Sequence, residues 1–134
     1  MMSRNYKPKD YHQLKRLLMQ CNLFDKSYDT KKKLGRKRPT GSVILAEETN
    51  KIVGCIFYTW DCWDSSIYRL AVGKKHRNVG IGTNLLKEAE KRLKRKGANV
   101  SSLRVHVKNK KTIKFFRKRG YYGNWGPYWD LEKK

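Results

Sequence analysis

Ile67-Tyr68-Arg69-Leu70-Ala71-Val72, followed after a short basic link by Arg77-Asn78-Val79-Gly80-Ile81-Gly82-Thr83, is the stretch whose reading decides the fold. The first segment is rich in β-branched and other apolar residues, as a strand is. From Gly82 to Lys96 the period changes: Leu85, Leu86, Ala89 and Leu93 fall on one helical stripe, and Gly97 stands where a helix stops. The expectation is a strand, a glycine loop and a long amphipathic helix, in that order.

Glycines let backbone N–H groups turn inward and approach a ligand closely, and a helix N-terminus adds partial positive charge. Gly80 and Gly82 at that junction, with Arg77 three residues ahead of the first of them, therefore form a cradle suited to a pyrophosphate. The spacing is not that of a Walker loop, and the third glycine of the dinucleotide fingerprint is missing.

Upstream, a short strand is expected around Arg4 to Lys7. Asp10 is expected to cap a helix carrying Leu14, Leu17, Leu18 and Cys21. Asp29 or Thr30 caps a weaker helix through Leu34, ended by Gly35 and Pro39. Val43 to Ala46 and Ile52 to Trp60 read as a hairpin about Glu48-Thr49-Asn50-Lys51, and a turn at Asp61 to Ser65 leads into Ile67 to Val72. Downstream, Leu103, Val105 and Val107 alternate as in a half-buried strand. Ile113, Phe115 and Phe116 mark a last helix closed by Gly120, and Tyr121 to Leu131 supply terminal strands. The order is βαα, three β, then αβαβ(β), within a single domain spanning residues 1–134.

The chain has 134 residues and a formal net charge of +22, from 33 Lys plus Arg against 11 Asp plus Glu. Such a field attracts anionic partners: nucleic acid, a ribosome-like surface or a polyanionic cofactor. A solvated lysine-rich surface explains the composition equally well. With 12% aromatic residues the apolar content is bulky enough for a core. Cys21, Cys55 and Cys62 form no C-x-x-C pair, so neither a disulfide framework nor a zinc knuckle is indicated, and His12 and His76 share no ligand spacing with them. The longest apolar run, Val53 to Trp60, is far too short to span a bilayer. The expectation is a soluble cytoplasmic protein with no metal and no membrane partner.

The loop from Arg77 to Gly82, behind its strand, resembles motif A of the GNAT-type N-acetyltransferases, R/Q-x-x-G-x-G/A. Asn109, Thr112, Phe115, Phe116, Gly120 and Tyr121 fall at the spacing of the family's motif B, N-x-x-A-x-x-F-Y-x-x-x-G-F. The look is that of small bacterial-type members such as the ribosomal-protein alanine acetyltransferases. The resemblance implies an α/β (α+β) fold: a mixed, mostly antiparallel central sheet with splayed central strands, flanked by helices. It implies acetyl-coenzyme A as co-substrate, and an amine acceptor that is either a small molecule or a protein or peptide. It also implies cofactor contacts from Leu70, Ala71 and Val72, whose backbone would pair with the pantetheine arm. Arg77, Asn78, Val79, Gly80, Ile81, Gly82 and Thr83 would hold the pyrophosphate, with Asn109 and Phe116 from motif B. In this family, C-terminal strands often pair between subunits, which makes a homodimer one expectation.

Direct transfer requires a neutral amine, a polarised thioester carbonyl and a proton for the departing thiolate. The motif-B tyrosine that usually supplies that proton is Phe116 here, which has none to give. Tyr121, Tyr122, Tyr128 or water are the substitutes, with Tyr121 taken forward. For the base, Asp61 lies in the loop where an acceptor should enter, with Asp64 nearby, and His106 stands on the strand where alanine-acetylating relatives place a glutamate. Cys55 and Cys62 read as packing residues, and Trp60, Trp63, Trp125, Tyr128 and Trp129 either wall an acceptor pocket or pack. Two alternatives accompany this reading: a catalytically silent acetyl-coenzyme A binder, and a basic nucleic-acid-binding module with non-specific nucleic-acid or ribosome association.

Overall fold

The computed structural model describes residues 2–36, 41–61, 64–98, 102–103, 110–123 and 133. The chain divides into two compact units, Met1–Leu103 and Arg104–Lys134. In the first, strand β1 (Met2–Asn5) leads through a 3-10 turn (Pro8–Asp10) to helices α1 (Tyr11–Gln20) and α2 (Lys31–Leu34). Strands β2 (Gly41–Glu48), β3 (Lys51–Trp60) and β4 (Ser65–Val72) follow, then a second 3-10 turn (Lys74–His76), helix α3 (Ile81–Arg95) and strand β5 (Ser102–Leu103). The sheet order is β1-β2-β3-β4-β5, antiparallel throughout except for the parallel pairing of β4 with β5. The mostly antiparallel mixed sheet flanked by helices is the expected fold class. In the second unit, α4 (Lys110–Arg117) is the expected last helix.

Period-two alternation splits the core into two layers. Val43, Leu45, Cys55, Phe57 and Ala71 face α1 through Leu14, Leu17 and Leu18, with Leu34 of α2 closing the layer. Ile44 and Ile56, fully buried and one residue out of phase, face the other way. On that side α3 buries Ile81, Leu85, Leu86, Ala89 and Leu93, the predicted stripe. Gly54 sets how closely α3 approaches: a Cβ there would lie 3.1 Å from Leu85, 3.2 Å from Ile81 and 3.2 Å from the Ala71 carbonyl oxygen. A bulge at the start of β3, where Ala46 pairs with Gly54 but Glu47 with Ile52, resets the faces.

The β2–β3 turn puts Thr49 at φ 49° and Asn50 at φ 63°, the two positive values that a two-residue hairpin of this twist demands. Asp10 departs from expectation. It precedes α1 but makes no side-chain cap to that helix. Its carboxylate instead takes two bonds from the Arg4 guanidinium, both 2.8 Å, and one of 2.8 Å from the Lys7 N–H. A bidentate charged partner outcompetes a helix N–H. For α2, Thr30 is the cap, its Oγ1 accepting from the Lys33 N–H at 3.1 Å. The expected strand continuation at 104–109 and almost all of the expected terminal strands, 121–131, lie outside the described residues.

Candidate active site

The site grows from the end of β4. Leu70, Ala71 and Val72 pair with Ile56, Cys55 and Gly54 of β3, so that side of their backbone is committed. On the other side, the described pairing with β5 covers Ser66 and Ile67 only. After Val72 the chain is tied back by Gly73, whose N–H donates to the Val53 carbonyl at 2.8 Å. One 3-10 turn then delivers Arg77.

In the loop that follows, Gly80 makes the turn and Gly82 falls within α3. Asn78 (φ 66°) and Gly80 (φ 91°) are left-handed, which turns the chain sharply into α3. Gly80 is the N-cap and offers no side chain to the first turn of the helix, and a Cβ built on it would meet nothing within 4 Å. The helix thus opens toward free space, where the N–H groups of a first turn present partial positive charge. That turn contains no acidic residue. Ile81 is buried beneath it, Gly82 and Thr83 are half-buried, and Val79 is 70% exposed above it. This open cradle is of the kind that receives a phosphate or pyrophosphate group.

Arg77 does not reach toward that cradle. Its Nε donates to the Val72 carbonyl at 2.9 Å, and Nη2 lies 3.6 Å from the Cys21 sulfur, which in turn lies 3.6 Å from the same carbonyl. The backbone oxygen expected to help hold an extended ligand is thereby engaged by a side chain.

The catalytic candidates fall in different places. Asp61 is exposed in the β3–β4 turn, where its Oδ1 accepts from the Asp64 N–H at 2.8 Å and its own N–H donates to the Asp64 carbonyl at 2.9 Å. Tyr121, in the second unit, packs edge-on against Phe116, ring centroids 5.6 Å apart, and its N–H donates to the Phe116 carbonyl at 3.1 Å. A phenol therefore sits beside the ring that replaces the family's tyrosine. Phe116 is buried and also meets Phe115 edge-on. His106 and Asn109 lie outside the described residues, as do Cys62, Trp63, Trp125, Tyr128 and Trp129. Burial pushes the Cys55 thiol up to about 12, so at neutral pH it is protonated and unreactive. Among the described residues no three of His, Cys, Asp and Glu converge as metal ligands, and no helix is long and apolar enough to cross a membrane.

Sequence reasoning missed one feature of β4. Arg69 is almost wholly buried, its Nη1 2.5 Å from Asp29 Oδ2 and its guanidinium between the rings of Phe57 and Tyr68. Asp29, read only as a cap, instead anchors the segment before α2: it accepts the Asp25 N–H at 2.7 Å, while its carbonyl takes the Tyr11 hydroxyl at 2.9 Å. The basic residue in a hydrophobic strand was the available signal, but nothing local names its partner.

The mixed sheet flanked by helices is a fold that known acetyltransferase structures share. The chain belongs to the acetyltransferase (GNAT) family, matching it over residues 9–121. It is 34% identical over 114 residues to an uncharacterised N-acetyltransferase of Methanocaldococcus jannaschii, covering 73% of this chain and 50% of that one. The chain spans about half the length of the sequence relatives it matches. Among solved structures, it is similar to the PaiA N-acetyltransferase of Thermoplasma acidophilum in complex with coenzyme A, with a TM-score of 0.74 and 20% identity over 90% of this chain and 89% of that one. A ribosomal-protein-alanine N-acetyltransferase of Brucella melitensis biovar Abortus 2308 superposes with a TM-score of 0.77 at 14% identity, covering 98% of both chains. At such identities the structural likeness speaks for the fold alone.

Proposed function

We propose that this chain, acting as a single domain, transfers an acetyl group from acetyl-coenzyme A to an amine, either a small molecule or a protein N-terminus. The observation that carries the reading is the left-handed Gly80 at the mouth of α3, with space for a ligand where a side chain would stand. Membership in the GNAT family supports it.

In this reading the α3 N-terminus and the backbone of Asn78 to Thr83 hold the pyrophosphate, and Leu70 to Val72 offer backbone to the pantetheine arm. Asn109 and Phe116 complete the contacts. The bound thioester supplies the acyl group: the amine nitrogen attacks its carbonyl carbon, the C–S bond breaks, and the thiolate takes a proton. Asp61 or His106 removes the proton from the amine, and Tyr121, beside Phe116, returns one to the thiolate. The acidic β3–β4 turn gives a cationic ammonium group a local landing point within a repelling +22 field.

Phe116 favours a second reading, a protein that binds acetyl-coenzyme A without turning it over. The two separate in one experiment. Thermal shift with acetyl-coenzyme A tests binding, and thiol release with amino acids, polyamines and N-terminal peptides tests transfer. A raised melting temperature with thiol release from an amine supports the enzyme; a raised temperature with none supports the silent binder; no shift at millimolar ligand removes both. The charge also supports weak, salt-sensitive nucleic-acid or ribosome association, read by a steep fall in RNA binding with added salt.

A further inference from the structure

The first unit contains a cavity of about 570 Å³ that the proposed transfer does not use. Helix α1 contributes Arg16, the start of β3 contributes Lys51, and the 3-10 turn after β4 contributes Lys74, Lys75 and His76. Three separate elements thus converge on one concavity, and no carboxylate is among its lining residues. One lining residue, His76, has a carboxylate beside it, Glu48 Oε2 lying 3.6 Å from its Nδ1. The rest of the polar lining is Gln13, Gln20 and Asn50. Gln13 accepts the Ile52 N–H at 3.0 Å through Oε1, which identifies its remaining polar end as a donor.

The positions of these cations are set by backbone. Lys51 follows the two left-handed turn residues directly and pairs with Glu48 in the β2–β3 register. Lys74 to His76 are pinned at both ends, by the Gly73 N–H on the Val53 carbonyl (2.8 Å) and the His76 N–H on the Gly73 carbonyl (2.9 Å). Like charges gathered around a shared hollow repel one another, and an anion that enters relieves that repulsion. The hollow lies on the α1 face of the sheet, whereas the Gly80 cradle opens α3, which packs on the opposite face. The hollow and the cradle are therefore separate places at the two ends of the loop 73–80.

We propose that this cavity is a second anion site, one that takes a compact small molecule bearing phosphate charge. Its volume is that of a small-molecule site. Four permanent cations match a ligand with two or more negative charges, and the carboxamides suit hydroxyl or amide groups beside the phosphate.

The test is calorimetric titration of inorganic pyrophosphate into the full chain saturated with coenzyme A, so that the cradle is already filled. Saturable binding is expected, weakened about tenfold or more in Lys51→Gln/Lys74→Gln. Lys91→Gln/Lys94→Gln, two exposed lysines of α3, removes the same charge elsewhere and should leave binding within about twofold. All of these side chains are exposed, and melting temperatures verify that the variants fold. Equal weakening by both pairs would reduce the effect to the general field of the protein and overturn the site. Loss of binding once coenzyme A is present would assign the anion to the cradle instead. Preference for a short oligothymidylate through Lys51 and Lys74 would replace the small molecule with a nucleic-acid backbone. Should coenzyme A itself fail to bind, the comparison of the two lysine pairs still decides the matter.

Discussion

Arg77 and Val72 close a ring at the end of β4, the guanidinium Nε donating to the carbonyl oxygen at 2.9 Å. The residue that opens the proposed phosphate loop is thus hydrogen-bonded to the strand on which the cofactor's arm is proposed to lie. For Arg77 to serve as the ligand contact that the family resemblance implies, that bond must open when coenzyme A enters. Arg77→Ala should weaken coenzyme A binding about tenfold, as expected for a lost charge-assisted bond, with melting temperature of the free protein nearly unchanged. Calorimetry on the variant checks this; unaltered affinity would leave Arg77 with a purely structural place at the strand end.

Gly80→Glu should abolish coenzyme A binding. The left-handed backbone at φ 91° disfavours any side chain, and a carboxylate there would stand in the open mouth of α3 and repel phosphate. Circular dichroism should remain native while the thermal shift with ligand disappears.

Tyr121→Phe should lower thiol release about tenfold or more at constant cofactor affinity, since general acid help typically contributes ~10²–10⁴-fold. Phe116→Tyr in the same assay should hold or raise turnover, because it puts a phenol at the family's usual position. No change in either variant would assign the proton to water.

Asp10 makes a pH prediction. The Arg4 guanidinium holds its carboxyl below the ordinary value of 3.8, so the folded state binds its proton less readily than the unfolded state. The resulting stabilisation is fully present above the unfolded value and is lost as pH falls through the lower folded one. Asp10→Asn should therefore cost about 2 kcal/mol near neutrality, and the gap from wild type should close as the pH of a urea titration falls below about 4.

Thr49→Asn should raise stability by about 0.5–1 kcal/mol, because a β-branched residue is strained at φ 49° and asparagine is not. Chemical denaturation reads it, and a loss of stability would mean that the threonine side chain makes a compensating contact.

Local order was legible wherever one short segment contains its own cause. The stripe Leu85, Leu86, Ala89 and Leu93 sets the inner face of α3, Thr30 sets the start of α2, and Gly80 sets the turn into α3. Backbone dihedrals and side-chain periodicity are decided among neighbours in sequence, which is why these elements and the turn into α3 were legible directly, while the fold class followed from the resemblance of the loop and its neighbours to the GNAT motifs. Asp10 shows the limit of that logic. Its sequence position is that of a cap, yet Arg4 of β1 claims its carboxylate and joins it to Glu47 of β2 through a second pair at 2.7 Å.

What the sequence by itself determined is the order of elements from β1 to α4, the buried stripes of α1 and α3, and the turn that opens α3. Tertiary structure alone decided which charges meet: Arg69 with Asp29, Arg4 with Glu47, and Arg16, Lys51, Lys74 and Lys75 around one hollow. The reason is physical. A cation's partner is chosen by distance and burial once the chain has folded back on itself, and neither quantity exists until strands and helices from distant segments have packed.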